Sequence, residues 1–83
     1  MSEEYTLDVR NMLCPMPVIK TQNQLKQLSS GDVLTVICTD PGSLKDIPAW
    51  CRINGHILLE SQQNDQEITF RIQKQQEATS FMP

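Results

Sequence analysis

The residues with the clearest chemical potential are Leu13-Cys14-Pro15-Met16-Pro17, where a short apolar run meets the start of a helical pattern. Proline is tolerated in the first turn of a helix, because the N–H groups there have no intrahelical partner and its fixed φ is close to helical. A helix start is therefore expected at the motif, with Cys14 as its N-cap. The positive end of the helix dipole favours an anion, which for cysteine is the nucleophilic thiolate. Pro15 and Pro17 remove two N–H groups that could have bonded the sulfur, so the expected lowering of the Cys14 pKa is moderate. A free cysteine is also commonly an inert core residue, although a core cysteine gains nothing from two flanking prolines. On these residues alone, Cys14 is compatible with either role.

Other thiol chemistry fits less well. A dithiol oxidoreductase would want Cys-x-x-Cys, and Pro17 stands where the resolving thiol would be. A zinc site could be assembled on paper from Cys14, Cys38, Cys51 and His56. Zinc ligands usually come as closely spaced pairs, and the near pair Cys51 and His56 straddles an expected helix end. No metal and no cofactor are expected. Cys38 and Cys51 fall within apolar patterns and are read as core, and His56 as a solvated residue at a strand entry.

Composition narrows the function classes. A chain of 83 residues buries only about 60% of the surface its unfolded form exposes, which leaves no room for an internal cofactor pocket beside a core. Three cysteines, an odd number, argue for a reducing compartment and not for a disulfide framework. The start Met1-Ser2-Glu3-Glu4-Tyr5 is acidic, and no window approaches the length of a membrane span. A cytoplasmic protein with no membrane association is expected. The formal net charge is −3, and the seven Lys and Arg residues are spread singly. Direct nucleic-acid binding is not expected, whereas protein partners with basic docking patches are.

Around the motif the elements follow from pattern. Residues 6–9 (Thr-Leu-Asp-Val) alternate as a first strand with Leu7 and Val9 on one face. Asn11, which tolerates positive φ, suits a tight bend before the motif, and reads equally well as an ordinary solvated loop residue. From Pro15 to Leu28 the positions Val18, Leu25 and Leu28 mark one face of a helix, and Ser29-Ser30-Gly31 stops it. Residues 33–39 are apolar on both faces, as a central strand should be. Asp40-Pro41-Gly42-Ser43 is a turn, followed by a second helix over about residues 44–53. Ser43 with Asp46 matches a capping box, while Pro48 calls for either a kink or a later start with Asp46 as N-cap. Ile47, Trp50 and Cys51 form its buried stripe, and Asn54-Gly55 ends it. Strands over 56–61 and 67–73 then form a hairpin around the turn 62–66. The order β-α-β-α-β-β predicts an α/β (α+β) two-layer sandwich, a four-stranded mixed sheet with two helices on one face. A single domain over residues 1–74 and a disordered tail over 75–83 are expected.

Taken together, Leu7-Asp8, Cys14-Pro15-Met16-Pro17, Thr39-Asp40-Pro41-Gly42, Asp46-Ile47-Pro48 and Gly55-His56 resemble the TusA (SirA-like) sulfur-carrier family over about residues 7–74. The family usually has glycine three residues before the cysteine, where this chain has Asn11. The resemblance implies that Cys14 accepts a sulfane sulfur as a persulfide from a donor such as a cysteine desulfurase or a rhodanese. It would then pass that sulfur to an acceptor protein, in a sulfur-trafficking pathway such as tRNA thiolation. Pro15, Pro17 and Asn11 would support the motif. The family's acidic pair falls on Asp40 and Asp46, for which loop and helix-cap roles are favoured over catalysis.

Persulfide exchange is attack by one thiolate on sulfur held by another, and needs an exposed, moderately acidic thiol but no pocket. Met12, Leu13 and Met16 would form an apolar collar for transient docking, unless Met12 or Leu13 faces the core. A monomer is the simplest form for a carrier that presents one sulfur to two partners. The competing function is a regulatory interaction module or thiol redox sensor, in which Cys14 is oxidised or merely exposed.

Overall fold

The computed structural model describes residues 3–13 and 15–75, so Cys14 and all of the expected tail over 75–83 except Gln75 lie outside the described residues. The elements run β1 (Glu4–Val9), α1 (Met16–Lys26), β2 (Val33–Cys38), α2 (Ser43–Asn54), β3 (Ile57–Asn64) and β4 (Glu67–Gln73). The four strands form one sheet in the order β1-β2-β4-β3. β1 lies parallel to β2, and the other two pairings are antiparallel. This is the mixed sheet expected from the element order.

One alternation of the strands builds the core. Val9, Cys38 and Ile68 share a row across the sheet, as do Val36 and Phe70, and Leu34 and Ile72. All are buried, and Leu25 and Leu28 from the α1 segment and Ile47 and Cys51 from α2 join the same cluster. Both helices therefore pack on one face. Each such fully buried large apolar side chain contributes about 1.5–3 kcal/mol relative to exposure. The other sheet face carries Glu4, Thr6, Asp8, Thr35, Thr69 and Arg71, with Arg71 paired to Glu4 at 3.2 Å and to Glu60 at 3.5 Å.

Several boundaries differ from those expected. α1 ends at Lys26, and its inward positions are Pro17, Thr21 and Leu25. Thr21 can be buried because its hydroxyl donates to the Pro17 carbonyl at 2.7 Å, one turn back. Leu28 is buried beyond the helix end, and Gly31, with φ of 92°, donates its N–H to the Lys74 carbonyl at 2.8 Å. α2 is capped by Gly42, so neither Ser43 nor Asp46 is the N-cap, and no side-chain cap bond forms. Ser43 is drawn inward instead and is fully buried. Pro48 lies inside a helix that runs on to Asn54, leaving the Leu44 carbonyl without its usual N–H donor. The left-handed Gly55, φ 78°, closes that helix as expected.

β3 continues through Gln62, Gln63 and Asn64, which were expected in the turn. As a nearly fully exposed edge strand it needs no apolar alternation, and pairing with β4 sets its length. The turn is Asp65-Gln66, with Asp65 at φ 58°. His56 is half-buried, its ring 5.3 Å from that of Trp50, and its Nδ1 accepts the N–H of Gln75 at 3.3 Å.

Candidate functional site

Because β1 and β2 are parallel and end together at Val9 and Cys38, the loops that follow them emerge side by side. One leads through Arg10–Leu13 towards Cys14 and α1. The other, Thr39–Gly42, leads to α2. The two are joined directly, since the N–H of Asn11 donates to Thr39 Oγ1 at 2.9 Å.

The turn into the motif is tight. Asn11 adopts φ of 67°, a left-handed conformation. Asparagine is one of the few residues besides glycine that enters this region readily. Met12 donates its N–H to the Val9 carbonyl at 3.3 Å, and Met16 donates to the Leu13 carbonyl at 2.9 Å.

Pro15, not Cys14, holds the N-cap position of α1. A cap residue is non-helical while its carbonyl accepts the first intrahelical bond. Pro15 meets both conditions, with φ −96° and ψ 13° and its carbonyl accepting the N–H of Ile19 at 3.1 Å. Cys14 thus precedes the cap by one residue, and Pro17 follows in the first turn with its ring buried.

Of the three collar residues, Leu13 is 74% exposed and Met16 is 40% exposed, while Met12 is half-buried and packs against the core. Open apolar surface beside the motif therefore comes from Leu13 and Met16. Asp40 shapes the neighbouring loop: its Oδ1 accepts the N–H of Gly42 at 3.2 Å and its carbonyl accepts that of Ser43 at 2.9 Å. Asp46 sits exposed in the first turn of α2, its N–H bonded to the Gly42 carbonyl at 3.1 Å. The structure brings Asn11, Asp40 and the turn before Cys14 to one end of the sheet.

The other two thiols are core residues. Cys38 is fully buried, and its Sγ–H donates to the Ile68 carbonyl at 3.6 Å. Burial pushes its pKa up. The Ser43 hydroxyl beside it falls short of hydrogen-bond geometry and offsets burial only in part. Burial pushes Cys51 up to about 11. Among the described residues no group of three or more His, Cys, Asp or Glu is placed to hold a metal ion. No helix of the described residues is long and apolar enough to cross a membrane.

Arg10 is a contributor that the motif did not announce. Its Nε and Nη2 donate to the two carboxylate oxygens of Asp8 at 3.0 and 2.8 Å, and its Nη1 donates to Glu67 Oε2 at 3.2 Å. Its backbone N–H also donates to Asp8 Oδ1 at 3.0 Å. Hydrogen bonds from Arg10 hold the Asp8 carboxyl down at about 2. The Asp8-x-Arg10 spacing, an acid at the end of a strand and a base two residues on in the turn, is a usable local signal. Its reach to Glu67, far along the chain, was not.

Fold and loop together define a small two-layer α/β protein with a braced turn into a cysteine at the carboxyl ends of two parallel strands. The chain belongs to the TusA sulfurtransferase family, whose model, described as Sulfurtransferase TusA, matches residues 5–74. It is 41% identical over 68 residues to the sulfur carrier protein TusA of Allochromatium vinosum, covering 82% of this chain and 90% of that one. A Neisseria meningitidis serogroup A protein, provisionally named as a sulfur carrier, is 43% identical over 68 residues, covering 82% and 92% respectively. The crystal structure of a SirA-like protein from Desulfitobacterium hafniense matches the fold with a TM-score of 0.76 at 24% identity, over 87% of this chain and 99% of that one.

Proposed function

We propose that the protein is a sulfur carrier in which Cys14 accepts sulfane sulfur as a persulfide from a donor protein and relays it to an acceptor protein. In the loading step the Cys14 thiolate attacks the outer sulfur of the donor's cysteine persulfide. A new S–S bond forms at Cys14, the donor's S–S bond breaks, and the donor cysteine leaves as a thiolate. Unloading repeats the exchange with an acceptor thiolate, and Cys14 is then the leaving group. Neither step needs an outside oxidant or reductant, because the sulfane sulfur keeps its oxidation state.

The observation that carries this function is the burial of the competing thiols. Cys38 and Cys51 are 0% and 1% exposed with raised pKa values, which suits them to packing and leaves Cys14 as the thiol for exchange. Exposed Leu13 and Met16 offer apolar contact to a docking protein. Membership of the sulfurtransferase family and the naming of relatives as sulfur carriers support the same function. A pathway such as tRNA thiolation is one destination for the sulfur.

Intact-protein mass spectrometry after incubation with a cysteine desulfurase and cysteine tests this directly. The expected result is the gain of one sulfur atom, lost on reduction and absent in Cys14→Ser. Sulfur added equally to Cys38 or Cys51, or none added at all, would refute it.

A further inference from the structure

Two arginines on the open face of the sheet tie β1 to β4 across the central strand. Arg71 of β4 reaches Glu4 near the start of β1, and Arg10, just past the end of β1, reaches Glu67 at the start of β4. Only the second spans the end from which the turn into Cys14 departs. Around it the loop is held at three points. The Arg10 guanidinium forks onto both oxygens of Asp8, its third nitrogen reaches Glu67, and the next residue's N–H is bonded to Thr39 Oγ1. A planar guanidinium bonded in this way fixes direction as well as distance, which a point charge cannot do.

Stability alone does not account for this cluster. Arg10, Asp8 and Glu67 have side chains 46%, 53% and 48% exposed, and ion pairs so open to water add little to folding. Their geometric effect falls on Arg10–Leu13, the segment from which Cys14 follows. Within it Asn11 holds a left-handed φ, so a loop released from its braces has other backbone conformations to sample.

We propose that Arg10, acting through Asp8 and Glu67, is a positioning residue for sulfur transfer, fixing the turn that delivers Cys14 to partner proteins. This rests on the sulfur-carrier function above. Partner proteins accept the sulfur in one docked geometry, and small misplacements of a reacting group are costly, so a loosened turn slows protein-to-protein transfer. A small reagent attacks from any direction and is indifferent to that looseness.

The test compares native protein, Arg10→Gln, Arg10→Lys, Glu67→Gln and Arg71→Gln. Each is loaded by a cysteine desulfurase with cysteine, and the initial rate of persulfide formation is measured against carrier concentration. Alkylation by iodoacetamide and thermal unfolding are measured alongside. For Arg10→Gln, loading should slow roughly tenfold, mainly in kcat, with alkylation within twofold of native and little change in Tm. Arg10→Lys should recover only part of the rate, because an ammonium cannot fork onto Asp8. Glu67→Gln should show a smaller loss in the same direction, and it also tests the idea should Arg10→Gln fail to fold. Arg71→Gln should load like native protein.

Native-like loading by both Arg10→Gln and Glu67→Gln would overturn the proposal. So would an equal loss in Arg71→Gln, which would trace the effect to net charge, or an alkylation rate that falls in step with loading. Failure of the native protein itself to take up sulfur would instead refute the carrier function.

Discussion

Ser29 and Asp32 bond each other twice: the Ser29 N–H donates to Asp32 Oδ2 at 2.9 Å, and the Asp32 N–H donates to the Ser29 carbonyl at 2.9 Å. The other carboxylate oxygen of Asp32 accepts the N–H of Glu3 at 3.0 Å, so one buried side chain closes the α1–β2 turn and secures the chain entering β1. These N–H donors hold the Asp32 carboxyl below its usual range. A folded-state pKa below the unfolded value means stability that is complete above the unfolded value, about 4 for aspartate, and is lost as pH falls through the folded one. The stability that Asp32 contributes should therefore be flat from about pH 6 to 5 and decline as pH falls below about 4. Asp32→Asn should lower Tm at pH 6 and flatten that acid limb. Thermal unfolding followed by circular dichroism across this range checks both.

Asn11 allows a sharper test of the turn. Its φ of 67° costs an asparagine little and a glycine nothing. Asn11→Gly should fold with native stability and load sulfur normally. Asn11→Val, β-branched and forced into the same conformation, should lose about 1–2 kcal/mol in urea unfolding. Equal stability of the two variants would mean that the turn rearranges freely.

Thiol kinetics separate the three cysteines. At pH 8 the native fold should show one thiol reacting quickly with a chromogenic disulfide and two reacting only as fast as the fold opens. For Cys51, held up at about 11 and buried, the thiolate fraction at that pH is very small. Cys14→Ser should abolish the fast phase, and denaturant should make the slow pair react at once.

Phe70 is the largest fully buried side chain among the described residues and sits on β4 between β2 and β3. Phe70→Ala should cost about 3–5 kcal/mol in urea unfolding, enough to threaten a domain of this size. By contrast, Gly55→Ala meets nothing within 4 Å. Its loss, on the order of 1 kcal/mol, comes only from placing a Cβ at φ 78°.

Residue type and local spacing by themselves determined the order of the elements, the apolar stripe Ile47, Trp50 and Cys51 and the helical stop at Gly55. Each depends on contacts or steric limits within a few residues, or on a periodicity that burial imposes along one element. Cys38 and Cys51 were legible as core for the same reason, and the family motifs were local in sequence too. Tertiary structure decided what depends on distant partners. The length of β3 came from its pairing with β4, since an exposed edge strand carries no apolar alternation to mark its end. Ser43 was drawn inward against the sheet instead of capping α2. Asp32 gained its partner at Glu3 and Arg10 its partner at Glu67 only when the sheet assembled, across 29 and 57 residues of chain. A hydrogen bond over such separations leaves no periodic trace in the sequence, because its geometry exists only once the strands between are in register.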